Sequence, residues 1–162
     1  MFQPLEDVIR NSLIPSLCGR QVSDIERRML ALPYRYGGLG IRNPVAVCDG
    51  EYAASRQITQ QLADLIVEQE TDISRLDRER MADQKKERKQ KKNNLEEIMA
   101  GMDAKSVRLF RATQEKGASA WLSAMPIKRL GYTVNNQEFR DGVCLRYGWR
   151  VENMPSICGC GS

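Results

Sequence analysis

The sequence predicts a mainly α-helical chain, organised as two small helical lobes joined by a long charged linker, and three observations lead there. Apolar residues recur at helical spacing in separate stretches on both sides of the middle. Strand signal is poor throughout, with Tyr132-Thr133-Val134 the best candidate for a short strand or extended link. Between the two apolar regions, Arg75 to Lys92 holds nine Lys/Arg and four Asp/Glu, a net of +5 in eighteen residues of a 162-residue chain whose overall charge is +4. The expected division is a first lobe at 1–70, a charged segment at 71–94, a second lobe at 95–155 and a tail at 156–162.

Taking the elements in order, Leu5, Val8, Ile9, Leu13 and Leu17 line one side of a helix from Pro4 to Leu17. Pro15 is expected to kink or shorten its end, and Gly19 to stop it. Ser23-Asp24-Ile25-Glu26 is a capping box, in which hydroxyl and carboxylate each satisfy a free backbone N–H. The helix it opens runs to about Leu30, before Pro33. Residues 33–43, PYRYGGLGIRN, form a glycine-rich loop with two tyrosines and two arginines. Asn43 before Pro44 is a helix start, with the ring at the first helical position. The helix that follows carries Tyr52, Ser55, Ile58, Leu62, Leu65 and Ile66 as one stripe and runs to about Glu70.

From Asp77 to Asn94 the only larger apolar side chain is Met81, so this segment has no face to bury. Two states are open to it: a solvated helix, since its residue types favour helix, or a disordered linker. The second lobe opens with Leu95, Ile98, Met99 and Met102. Asp103 caps a helix bearing Val107, Phe110 and Gln114, closed by Gly117. Ala118 to Met125 is a short helical stretch around Trp121, ended by Pro126. Asn136 caps a last helix with Phe139, Val143 and Tyr147 on one face; Gly148 ends it and Trp149 packs back.

Composition also bounds the chemistry. There is no histidine, which removes the commonest general base and metal ligand, and with them the imidazole-dependent serine and cysteine triads. No two aspartates are adjacent, and nothing resembles a strand-flanked acidic pair for paired magnesium ions. Gly37-Gly38-Leu39-Gly40 lacks the lysine and spacing of a triphosphate-binding loop. The chain is therefore expected not to be an enzyme in its own right and to have no small-molecule substrate. No apolar run is long enough to span a bilayer and the N-terminus has no secretory pattern, so no membrane partner is expected. The five cysteines are an odd, scattered set, which points to a reducing intracellular compartment, nucleus or cytoplasm.

Three stretches, in order, carry a family resemblance. They are Leu32-Pro33-x-Arg35-x-Gly37-Gly38-Leu39-Gly40-Ile41 followed by Asn43-Pro44; Glu115-Lys116-Gly117-Ala118-Ser119-x-Trp121-Leu122; and Glu138-Phe139-Arg140-Asp141 leading to Leu145-Arg146-Tyr147-Gly148-Trp149. Together they resemble the region after the catalytic palm in reverse-transcriptase-like proteins of non-LTR-like retrotransposons of animal genomes. The opening PLEDVIRNSLIPSLCGR is similar to the helical segment before the glycine loop. The resemblance covers nearly the whole chain except the basic linker, and three motifs in order are more specific than the glycine loop alone. It implies a non-catalytic post-palm piece whose polymerase carboxylates lie upstream, and whose missing partners are those upstream polymerase domains. In the family the CxCG pattern continues to a histidine and another cysteine, a small zinc knuckle. Here Cys158, Cys160 and Gly161 are present and the pattern stops, so the metal site is expected to be incomplete. No cofactor is expected in this chain, and zinc only with the downstream ligands restored.

The candidate contacts to an RNA or DNA backbone are Lys85, Lys86, Arg88, Lys89, Lys91 and Lys92, dense enough to displace counterions from phosphates without reading bases. The alternative is a solvated spacer. Arg35 and Arg42, with Tyr34 and Tyr36, flank the glycine loop and can stack on or clasp a nucleic acid; the alternative is a purely structural turn. Arg140 and Arg146 either meet phosphate or pair with a carboxylate, and Cys18, Cys48 and Cys144 read as small buried hydrophobes.

Overall fold

A computed structural model describes residues 1–69, 89–90, 92–152 and 154. Those residues are mainly α-helical and contain no strand, as the periodicity predicts; Tyr132-Thr133-Val134 is an exposed link. In chain order the helices are α1 (Gln3–Val8), α2 (Ile14–Cys18), α3 (Asp24–Ala31), α4 (Pro44–Val67), α5 (helical at 92–100), α6 (Ala104–Ala112) and α7 (Asn136–Tyr147).

A π-helical turn, Ile9–Leu13, connects α1 to α2 without a break. Its cause lies in Pro15, which has no N–H to donate and whose ring crowds the carbonyl four residues back; widening the preceding turn relieves both. The wider turn also re-aims the helix. Leu5, Val8 and Leu13, expected on the buried face, are exposed, while Glu6, Ile14 and Cys18 face inward. Gly19, left-handed at φ +70°, ends α2 as anticipated.

Glu6 is buried because it meets Arg27 of α3. The two side chains are 7% and 4% exposed and form two parallel bonds of 2.7 Å, from Arg27 Nε and Nη2. Arg27 Nη1 also donates to the Ile41 carbonyl at 2.7 Å, and Nη2 to that of Arg42, so one guanidinium ties α1, α3 and the exit of the glycine loop together. The capping box of α3 forms as predicted, Glu26 N–H to Ser23 Oγ and Ser23 N–H to Glu26 Oε2.

The segments 1–70 and 95–155, expected as separate lobes, do not keep separate cores. Ile14, Met29, Leu30 and Leu32 from the first share one buried cluster with Leu95, Ile98, Phe110, Val143 and Tyr147 from the second. Short stretches bury a smaller fraction of their surface than longer ones do, so pooling apolar residues removes more of them from water. Of the charged segment, Lys89, Gln90 and Lys92 to Asn94 are helical; residues 71–88 and Lys91 lie outside the described residues.

Smaller differences follow from local chemistry. Asn135, one residue earlier than expected, caps α7, because its side chain and Glu138 complete a capping box. Between Ala118 and Met125 only a 3₁₀ turn forms, Ala120–Leu122. Among the described residues no helix is long and apolar enough to cross a membrane.

Candidate nucleic-acid interface

The glycine loop is the element that places the candidate groups. A 3₁₀ turn at Tyr34–Tyr36 ends on Gly37 at φ +89°, and the chain then runs back along the end of α3. Leu39 and Ile41 N–H both donate to the Leu30 carbonyl, and Gly40 N–H to that of Leu32. Gly38 has to be glycine for space: a Cβ there would fall on the Leu32 carbonyl.

Two distant stretches close on this loop. Tyr147 Oη donates to the Gly37 carbonyl at 2.9 Å, and burial pushes its hydroxyl pKa up to about 12. Ser119 Oγ donates to the Tyr34 carbonyl at 3.0 Å. Arg146 donates to the carbonyls of Ala118 and Thr113 and to Ser119 Oγ. The arginines of α7 therefore hold backbone, not carboxylate: Arg140 likewise donates to the Ser16 carbonyl. Among the described residues neither forms the carboxylate pair that was one of the two roles open to them; backbone carbonyls of α2 and of the turns after α6 take their N–H groups instead.

The candidate cations divide clearly. Arg42 is committed to Glu51 at 2.6 Å across an exposed surface, and its own carbonyl is held by Arg27. Arg35 is exposed and lies over the Tyr36 ring, 5.1 Å from the centroid. Lys89 and Lys92 are exposed on helical backbone. Lys85, Lys86, Arg88 and Lys91 lie outside the described residues, as do Cys158 and Cys160. No group of metal-binding side chains occurs among the described residues. Cys18 and Cys144 are buried as expected, and Cys144 Sγ donates to the Cys18 carbonyl, but Cys48 is only half-buried.

The sequence reading gave no role to the turn opposite Arg35. There a cleft of about 290 Å³ is lined by Tyr34, Arg35, Gln114, Lys116, Ser119 and Ser123, among others. Lys116 and Ser119 stand in the second motif, so the motif was visible, but its contact with the first was not. Comparison of the chain with protein-family models, with curated proteins and with solved structures found no match.

Proposed function

We propose that the chain is a non-catalytic helical module of a reverse-transcriptase-like retroelement protein, of the kind that follows a polymerase palm. In this reading it works inside the cell and holds RNA or DNA by the phosphate backbone through the basic stretch 75–92. The observation that supports it most is the meeting of the three motif stretches. Tyr147 and Gly37, 110 residues apart, are joined by a hydrogen bond, and Ser119 and Arg146 complete the same junction. Their meeting in one junction supports reading them as parts of one unit.

The test is a titration with single-stranded RNA and with duplex DNA at two salt concentrations. Each phosphate neutralised by the chain steepens the fall of log affinity with log salt by about 0.7 for single strands and 0.9 for duplex. Replacing Lys85, Lys86, Arg88, Lys89, Lys91 and Lys92 with Gln is expected to flatten that slope and weaken binding to both. Absence of binding at low salt, or binding indifferent to deletion of residues 75–92, would sink the reading.

A second reading, a helical protein-interaction module with no nucleic-acid role, is favoured by α4. That helix has no buried residue, yet Tyr52, Ile58, Leu62 and Ile66 are exposed. Exposed apolar surface of this kind commonly serves association. Sedimentation of the native chain over a range of concentrations, without nucleic acid, tests it.

A further inference from the structure

The cleft beside the glycine loop presents two chemistries that a nucleotide needs, an aromatic face and, among the described residues, unpaired cations. Tyr34 offers an aromatic face, 54% exposed, at its edge. Arg35 and Lys116 are exposed on its walls and form no ion pair among the described residues. Glu115 is the one acid of the lining, so the cations outnumber it.

A ligand that answers both is planar and anionic. The volume, about 290 Å³, is at the lower end of small-ligand sites, about 300–1,000 Å³, which suits one unpaired nucleotide and not a duplex. The geometry points to a contact site for single-stranded nucleic acid: one base stacks on Tyr34, and Arg35 with Lys116 takes the adjoining phosphate. This inference deepens the nucleic-acid reading above and rests on it. It assigns the strand a second, structured contact separate from the basic stretch 75–92.

The experiment uses the full chain and an eight-nucleotide single-stranded RNA, followed by fluorescence anisotropy at two salt concentrations. Tyr34→Ala is expected to weaken binding about tenfold at both, because base–aromatic stacking is not screened by salt. Tyr34→Phe keeps the ring and retains affinity. Arg35→Gln with Lys116→Gln is expected to lower the salt slope by about 1. These side chains are exposed, so the thermal melt of each variant is expected to match the native chain. The same effects appear when the six cations of the basic stretch are already Gln. If that replacement leaves affinity unchanged while the cleft variants still act, the basic-stretch reading fails and the cleft stands. Silent cleft variants in a chain that binds RNA overturn the cleft alone, and a native chain that ignores the RNA at low salt overturns both.

Discussion

Helices α4 and α7 are announced by the same sequence signal and end in opposite situations. Each has an Asn cap and an apolar stripe at helical spacing. In twelve residues, α7 buries Val143, Cys144 and Tyr147 and sends side chains to three other parts of the molecule. Over twenty-four residues, α4 buries none, and Tyr52 and Ile66 are 66% and 70% exposed. Periodicity thus predicts that a helix forms and which face is apolar, but it does not say what that face meets. The partner of α7 is within the chain, on α2, α6 and the glycine loop; among the described elements α4 lies to any extent against α1 only.

The contrast can be strained from the packed side outward. Arg27→Ala removes one half of a sealed ion pair and the clamp on the glycine loop; about 3–5 kcal/mol of stability is expected to go, read by urea unfolding. Ile98→Ala should cost about 3 kcal/mol, although Ile98 lies beyond the charged segment from Leu30. A loss under about 0.5 kcal/mol, typical of surface sites, would detach α5 from the core.

Gly37→Ala places a Cβ against Thr113 and 2.7 Å from the Phe110 ring, at φ +89°. About 1–3 kcal/mol of destabilisation is expected, with the Tyr147 hydroxyl contact loosened, seen as a fall in its titration range. Alkali should act on the packed region in the same sense. Burial first, and Cys144 second, raise the Cys18 thiol from 9.0 to about 11. Folding therefore favours the protonated form, and this contribution is complete below pH 9.0 and lost as pH rises from 9.0 toward 11. The urea midpoint is expected to fall above pH 9.0, less steeply in Cys18→Ala. On the other side of the comparison, Leu62→Gln in α4 should change stability by no more than about 0.5 kcal/mol.

Much of the helical framework was legible because its signals are local. Ser23 with Glu26, Asn43 with Pro44, Asp103, and Gly148 act within one turn of themselves, and each does in the structure what its spacing implies. What escaped depends on distant groups. The inward turn of Glu6 follows from a π turn and from Arg27, twenty-one residues away. The pooled core needs both ends of the chain at once. Of the candidate site, Arg35 and Tyr34 could be picked out by residue type, whereas Gln114 and Lys116 entered only when the second motif was seen folded against the first. Arg42 was a reasonable candidate by charge, and Glu51, nine residues on, takes that charge up.

That the motif stretches form one cooperative unit underlies both the proposed module and its cleft. Equilibrium unfolding in urea tests it most directly, following the fluorescence of Trp121 and Trp149 from the C-terminal half and amide exchange at Leu30 from the N-terminal half. A shared core predicts one midpoint for both probes. Two separated transitions, with Leu30 still protected after the tryptophan signal has reached its unfolded value, would contradict it.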